Sequence, residues 1–481
     1  MLDTKQQQML DALLATLNDE QRVWLAGHLQ NTGTRLPVGP RPGLFICYAT
    51  ETGNSKVVAK ALEKQAQAMG YKTTVAPLSR ITPKELAAKT DPVILLTSTH
   101  GEGDPPEMGK RFYDAVKASL PVFPNLRYAV LGLGDRAYVQ FCQMAVALDG
   151  IFQAGGGKAF HPLALFDVDY AIHIPGWIDE ILGALGDAPV KSAAPAARKT
   201  ATPTDESRGF NRMTPVPAKV KDIVRLSDRE SLKETYHIEL ELDHALGYAP
   251  GDSAGILLPP ELNDDKPPRL YSIASSPLKH ANEIHLTVAL STYILPDGAK
   301  GYGRCSHYLS QLEAGAELQA FIQRNQRFRL PEDGAEDIIM VGPGTGIAPF
   351  RAFVQERAER GDTGRNWLVF GDQHAHCDFL YQSEWQEYLE SGALSHISLA
   401  FSRDQPKKIY VQDRLREQSA RLLEWIDGGA RIYVCGAKSP MSEDVEKTLL
   451  ELLAARAGGM EAARKRLECM AEDDRYLKDV Y

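Results

Sequence analysis

Thr50-Glu51-Thr52-Gly53-Asn54-Ser55 is a hydroxyl-rich run that follows an apolar stretch and opens a helical pattern. Backbone N–H groups and hydroxyls at a helix amino end donate to phosphate, and the helix dipole favours its charge. The run has no Lys, which a Walker-type loop requires. It therefore suits a single phosphate monoester, although an ordinary hydroxyl-rich helix cap reads the same way. Two further loops follow later apolar stretches: Ser98-Thr99-His100-Gly101-Glu102-Gly103-Asp104, and Leu133-Gly134-Asp135 with Tyr138, Phe141 and Cys142. Their glycine turns let the backbone approach a flat ring, which Tyr138 can stack on; alternatively Tyr138 caps a sheet edge. Open α/β sheets bind ligands at the carboxyl ends of their strands. Three such loops at one edge favour a flavin.

A second set of residues lies further along. In Arg269-Leu270-Tyr271-Ser272, Arg269 can neutralise a pyrophosphate. Tyr271 can stack on a ring and Ser272 can hydrogen-bond to a ring nitrogen; the alternative is a plain strand ending in a Ser-rich turn. Val341-Gly342-Pro343-Gly344-Thr345-Gly346-Ile347-Ala348-Pro349-Phe350 runs from a strand through a glycine turn into a helix. Such glycines admit a pyrophosphate and a tight reversal. Ser402-Arg403-Asp404, with Lys408, Tyr410 and Gln412, offers cations and hydroxyls suited to a ribose 2′-phosphate, or forms a solvated charged loop. Cys435-Gly436 ends a strand, where a cysteine is usually small core.

The elements that must position these residues are legible in the patterning. Residues 1–31 carry apolar residues at helical spacing and read as a packing or oligomerisation arm, so that 1–38 form a helical amino-terminal segment. Residues 39–186 alternate strands (Gly43–Ala49, Lys72–Leu78, Val93–Thr97, Tyr128–Leu133, Ala159–Phe166) with helices (Ser55–Met69, Pro106–Ala118), which implies a parallel sheet with helices on both faces. Residues 187–213 turn rich in Ala, Pro, Ser and Thr and read as a flexible linker. Residues 214–331 carry short strands at Pro217–Leu226, Thr235–Leu242, Ala254–Leu257, Leu270–Ala274, Glu283–Leu290 and Glu317–Ile322, a pattern for a small antiparallel barrel. From 332 to 481 the α/β alternation returns, with strands at Ile338–Val341, Asn366–Phe370, Ile397–Phe401 and Arg431–Val434.

Composition narrows the function classes. With 43% apolar and 24% charged residues, the 481-residue chain is that of a globular protein of several domains. No run of about 18 apolar residues suggests a membrane span. The start, MLDTKQQQML, lacks the basic-then-apolar pattern of a secretory leader. A net charge of −9 argues against nucleic acid and leaves room for an acidic face that steers toward a basic protein. Six scattered cysteines without a CxxC pair point to reduced thiols in a cytoplasm, with no metal site.

The loops T-G-N, S-T-x-G-E-G and L-G-D-x-x-Y-x-x-F-C, in that order, resemble the flavodoxin-like FMN domain of diflavin reductases. R-x-Y-S resembles the strand of a ferredoxin reductase-like FAD-binding barrel, and G-P-G-T-G-I-A-P-F resembles the NADP-binding α/β domain of the same family. The resemblance implies FMN, FAD and NADPH as cofactors. It implies that Gly303-Arg304-Cys305-Ser306, before a helical pattern beginning at His307, forms a second pyrophosphate loop. It implies that Thr287, Val288, Ala289 and Tyr293 contact FAD, that Ser402, Arg403, Lys408, Tyr410 and Gln412 hold the 2′-phosphate, and that Asp444 contacts the nucleotide. The ending Arg475-Tyr476-Leu477-Lys478-Asp479-Val480-Tyr481, frayed by default, is similar to the termini of NADPH-sulfite reductase flavoprotein components. By that likeness Tyr481 covers the flavin and must swing aside for nicotinamide, while Ser272, Cys435 and Asp479 serve hydride transfer.

Three departures stand out. His100 occupies a position where relatives often place an aromatic or an amide, and Ala437 one where they commonly place an acid. Most diflavin reductases also insert a helical connecting domain before R-x-Y-S, but here only residues 253–268 precede Arg269, enough for a loop and not a domain. The implied activity carries electrons from NADPH through FAD and FMN to a haem protein, most simply the sirohaem subunit of an assimilatory sulfite reductase. Alternatives are a diflavin reductase serving another haem protein, or a flavin-binding assembly scaffold.

Overall fold

The computed structural model describes residues 43–99, 103–136, 138–185, 209–210, 212–263 and 267–481. The amino-terminal arm, most of the 187–213 linker, His100 and Gly101 lie outside the described residues.

The first unit is a parallel sheet. Strands β1 (Gly43–Ala49), β2 (Lys72–Pro77), β3 (Val93–Ser98), β4 (Arg127–Leu133) and β5 (Lys158–Ala159) lie in the order β2-β1-β3-β4-β5, and β6 (Ala164–Phe166) also pairs with β4. β1 reads GLFICYA and is buried along nearly its whole length, as a parallel strand covered on both faces must be. Helices Asn54–Ala68 and Ile174–Leu185 pack on one face, through Val58, Leu62, Trp177 and Ile181. Glu107–Ser119 and Gln143–Ala154 cover the other, through Phe112, Val116, Leu148 and Phe152. The stretch 159–166, expected as one strand, is two short ones, because Pro162 interrupts the hydrogen-bonding edge.

The second unit is a barrel of six antiparallel strands: β7 (Val216–Arg225), β8 (Thr235–Leu242), β9 (Ser253–Leu257), β10 (Arg269–Ser272), β11 (Glu283–Ala289) and β14 (Glu317–Gln323). Their order is β10-β9-β14-β7-β8-β11, and a bridge from Ile273 to Leu286 joins the two edges. β7 shows the alternation of a half-buried strand: Val216, Ala218 and Val220 point inward and Lys219 and Lys221 outward. β9 pairs directly with β10, so the chain returns to the barrel across residues 258–268. A hairpin of β12 (Thr292–Ile294) and β13 (Lys300–Tyr302) was not foreseen; its residues lie largely exposed and carry no apolar alternation.

The third unit is again parallel, in the order β17 (His396–Phe401), β16 (Asn366–Asp372), β15 (Ile338–Val341), β18 (Arg431–Gly436), β19 (Tyr476–Val480). β19 corrects the default expectation of a frayed end: the terminal segment is a strand whose Tyr476 and Leu477 are buried. The barrel joins this unit through a buried polar seam. The Arg351 guanidinium donates to the Ala274 carbonyl at 2.8 Å, approaches His285 Nδ1 at 3.2 Å and pairs with both oxygens of Glu384. Tyr381 Oη meets His237 Nδ1 at 3.0 Å and Thr287 Oγ1 at 2.6 Å.

Burial, and then the nearby Arg351 cation, push His237 down to about 4. The unfolded chain protonates it near 6.5, so its contribution to stability is complete above that pH and is lost as the pH falls toward the folded value. The expected loss in unfolding free energy between pH 6.5 and pH 4 is on the order of 2–3 kcal/mol. Chemical denaturation across that range checks it, and His237→Asn should flatten the slope.

Candidate active site

The loop after β1 is organised from within. Thr50 is fully buried and its Oγ1 accepts the Gly53 N–H at 2.9 Å. Gly53 has φ +92°, a left-handed conformation that favours glycine, and starts the helix that carries Asn54 and Ser55. The Ser55 Oγ is buried and makes no hydrogen bond, and the same holds for Ser98 Oγ at the end of β3. The Ser55 hydroxyl, buried without a partner at a helix amino end, fits a phosphate ligand, and that of Ser98 opens onto the same sheet edge. Glu51 accepts the Glu107 N–H at 2.9 Å and so ties this loop to the next helix. Thr99 donates its N–H to the Leu133 carbonyl and Gly134 donates to Phe166, which aligns the loops at one sheet edge.

In the Leu133–Cys142 loop, Asp135 pairs with Arg212 at 2.9 Å and Tyr138 donates its N–H to the Asp135 carbonyl. The Arg136 guanidinium lies 4.5 Å above the Phe141 ring. Cys142 is buried, and burial raises its thiol to about 12. It supports the loop from beneath: a Cβ on Gly134 would come within 2.8 Å of its sulfur.

On the barrel, Arg269 and Leu270 are exposed, while Tyr271 reaches Cys305. The helix beyond Gly303 begins at Arg304 rather than His307, so the expected loop is shorter by three residues. Ser306 Oγ is engaged inside that turn, accepting the Ser291 N–H and donating to the Gly303 carbonyl. The side chain of Thr287 faces Tyr381 in the polar seam and Val288 lies in the barrel core, so these two offer a ligand only backbone, as does Ala289 beside them. Tyr293 is half exposed on the hairpin.

The barrel and the third unit meet at the ends of β10, β18 and β19. Strand register places Cys435 beside Asp479, and Ser272 Oγ donates to Asp479 Oδ2 at 3.0 Å. The Cys435 thiol hydrogen-bonds with Ser272, and burial holds it well above its ordinary pKa, so it is a neutral thiol. Three residues from distant parts of the sequence thus converge. Gly344, Thr345 and Gly346 lie beside them. A Cβ on Gly346 would sit 2.2 Å from the Cys435 carbonyl, so only glycine brings this turn so near β18. Thr345 Oγ1 and Tyr481 Oη are 2.8 Å apart, which places the terminal ring over the glycine turn.

The second expected cluster is more open. Ser402 donates its N–H to the Asp372 carbonyl, and Arg403 and Lys408 are exposed and form no ion pair among the described residues. Tyr410 caps the next helix, its N–H bonded to Asp413. Gln412 and Asp444 are 3.3 Å apart. Sequence reasoning missed Lys438, whose N–H binds the Tyr481 carbonyl, as well as Arg212 and Asp474. Nothing in the local pattern around these three distinguishes them from surface charge.

Residues 46–172 match the family model described as flavodoxin, 261–308 that of the FAD binding domain, and 340–447 that of the oxidoreductase NAD-binding domain. A sulfite reductase NADPH flavoprotein alpha-component of Bacillus subtilis (strain 168) is 34% identical over 598 aligned positions, covering 99% of this chain and 98% of the relative. The proteins of the same description from Shewanella sp. (strain ANA-3) and Vibrio cholerae (serotype O1, El Tor Inaba N16961) are each 33% identical, covering all of this chain and 98% and 96% of theirs. The chain belongs to the sulfite reductase flavoprotein alpha-component family. It is an oxidoreductase with FMN-, FAD- and NADPH-binding domains, built for diflavin electron transfer. The alignment of 598 positions against 481 residues leaves on the order of a hundred positions of this relative with no counterpart. Among the described residues, no helix is long and apolar enough to cross a membrane.

Of the six cysteines, five are buried and Cys469 is exposed. A disulfide-exchange reagent at neutral pH should therefore titrate one thiol in the folded flavoprotein and six after denaturation. Reaction of Cys435 in the folded protein would contradict its burial.

Proposed function

We propose that this flavoprotein is the electron-supplying component of an assimilatory sulfite reductase, delivering electrons from NADPH to a separate sirohaem and iron–sulfur subunit. The carrying observation is the convergence of Ser272, Cys435, Asp479 and Tyr481 at the joint between barrel and third unit. The names of the relatives support the sulfite reductase assignment. We take 39–186 as the FMN domain, 214–331 as the FAD barrel and 332–481 as the NADPH domain. When bound, the flavins convert a two-electron hydride into single electrons.

The chain's part is binding, orientation and exclusion of water. Ser55 and Ser98 are poised to donate to the FMN phosphate. Arg269 neutralises the FAD pyrophosphate, and Tyr271 lies along the strand that faces the ring. The Ser272 hydroxyl, held by Asp479, is fixed in direction, so it enters the site with one rotamer and little entropy left to lose. Cys435, as a neutral thiol, adds bulk and polarisability without charge at the place where hydride departs. Tyr481 excludes water until the nicotinamide replaces its ring. Gly344, Thr345 and Gly346 form the pyrophosphate turn, and Arg403 and Lys408 read the 2′-phosphate. The free cations at 403 and 408 favour NADPH over NADH, since a charge-assisted hydrogen bond contributes about 1.5–3 kcal/mol.

Three measurements test this reading. The purified chain should release one FMN and one FAD, and with NADPH it should reduce ferricyanide, cytochrome c and, through the haem subunit, sulfite. Full artificial activity without sulfite reduction in the presence of that subunit would point instead to another haem-protein acceptor. Arg403→Ala should raise KM for NADPH by about tenfold or more while leaving KM for NADH nearly unchanged; parallel changes for both would remove Arg403 from the 2′-phosphate site. Ser272→Ala should slow single-turnover FAD reduction by at least about tenfold without weakening NADPH binding.

A further inference from the structure

The FMN domain is seated against the end of the NADPH domain through paired charges. Asp474, in the turn after helix Met460–Glu472, has φ +54°, a left-handed conformation that Asp tolerates better than most residues. Its carboxylate lies 2.8 Å from Lys56 Nζ of the FMN domain and 3.3 Å from Arg327 Nε of the barrel. All three domains therefore meet at one side chain. Arg327 is fixed there by donating to the Ala471 carbonyl at 2.6 Å. Glu472 accepts from Ser79 Oγ at 3.0 Å and pairs with Arg80, and Glu468 lies 3.7 Å from Arg111. Three cations of the FMN domain thus face three carboxylates of one helix and its terminal turn.

Two more contacts set the direction of this docking. The Gln326 N–H donates to the Thr52 carbonyl at 2.9 Å, and a Cβ on Gly53 would meet Arg327 Cγ at 2.9 Å. Asp104, at the end of the second flavin loop, lies 3.8 Å from Lys438, whose own N–H holds the Tyr481 carbonyl. The loops that carry the FMN site therefore face the end of β18 beside Cys435. Between the two domains lies a cavity of about 560 Å³, lined by both charged and apolar side chains, among them Met108, Arg111, Leu467 and Glu472. The joint is held by charges around a gap rather than sealed by apolar packing.

We propose that helix Met460–Glu472 with Asp474 is the seat on which the FMN domain docks to receive electrons from FAD, doing in this compact chain the positioning that relatives assign to an inserted domain. Lys56, Arg80 and Arg111 are positioning residues: each is engaged by a carboxylate of the seat and acts by orienting the domain. The outer pairs at Arg80 and Arg111 are open to solvent, so they are individually weak and screened by salt, which suits a contact that forms and releases at each turnover. The inference rests on the reading that both flavins are bound.

The test is rapid mixing of the holoprotein with NADPH, following FAD reduction and then FMN reduction. Arg80 and Arg111 are 56% and 79% exposed at their side chains, so reversing them leaves the core intact. The double variant Arg80→Glu, Arg111→Glu should reduce FAD and ferricyanide at the wild-type rate, while transfer to FMN slows by about tenfold. Adding Glu468→Arg and Glu472→Arg should restore much of that rate. Wild-type transfer should fall as salt rises from about 0.05 M to about 0.5 M, and the neutral variant Glu472→Gln should respond less. Full FMN content with an unchanged transfer rate in the double variant, or no rescue by the swapped charges, overturns the seat. A wild-type chain that binds no FMN overturns the functional reading and the seat with it.

Discussion

Hydride transfer demands that two rings held by different domains meet within about 3–3.5 Å, and Arg351 is the side chain that fixes those domains relative to each other. It belongs to the helix after the glycine turn, yet it donates to the Ala274 carbonyl and approaches His285, both on the barrel. Glu384 neutralises it from the side, so a nearly buried guanidinium is paired and hydrogen-bonded, as burial of charge requires. Removing either partner would leave a charge unpaired in a dry seam, at a cost of roughly 3–5 kcal/mol. The seam therefore has one geometry. Because Ser272 lies only two residues before Ala274, that geometry also fixes the distance from Ser272 to Asp479 and Cys435.

The FMN joint is built on the opposite principle. Its ion pairs run from half-buried at Asp474 to exposed at Arg111, where such a pair contributes about 0–1 kcal/mol, and a cavity opens between the two surfaces. The contrast follows from the chemistry each joint serves. A hydride moves only between atoms in near contact, so its donor and acceptor domains gain from rigidity. A single electron must pass inward from one domain and outward to a separate protein, and a domain locked permanently on its donor would hide its flavin from the acceptor. Buried and exposed charge thus divide the work within one chain.

Much of this was legible in the residues because the relevant signals are local. Strand, glycine turn and helix are contiguous at Thr50–Ser55 and at Val341–Phe350, so spacing alone places both loops at sheet edges. Burial of GLFICYA and the alternation in β7 follow directly from their patterns. What the sequence hides is set by long-range pairing. The tail Tyr476–Val480 becomes a strand only because β18 offers a free parallel edge, and no local propensity announces that. Ser306 matches a phosphate-loop pattern, yet its hydroxyl is engaged inside the turn, a fact that depends on Ser291 fifteen residues away. Thr287 likewise faces the seam because Tyr381, remote in sequence, fills the space beside it. Asp474 gives no signal at all, since a carboxylate after a helix is ordinarily a solvated end.

The compact barrel shows what an inserted domain is and is not needed for. β9 pairs with β10 over all four residues of that strand, so the sheet closes without an insert, and Ile273 still bridges to Leu286. Deletion at that point costs the barrel no hydrogen-bonding edge. It does remove a wall against which another domain could lean. The structure meets this loss with residues already present: Arg327 and Gln326 from the barrel, and the last helix of the NADPH domain. These come from the segment leaving β14, which Asp252 holds through the Asn325 N–H and the Arg329 guanidinium, and from the turn before β19, to which Arg327 is tied through the Ala471 carbonyl. A docking surface built on them is fixed by these bonds, so the FMN domain gains a defined target even though its own attachment is weak.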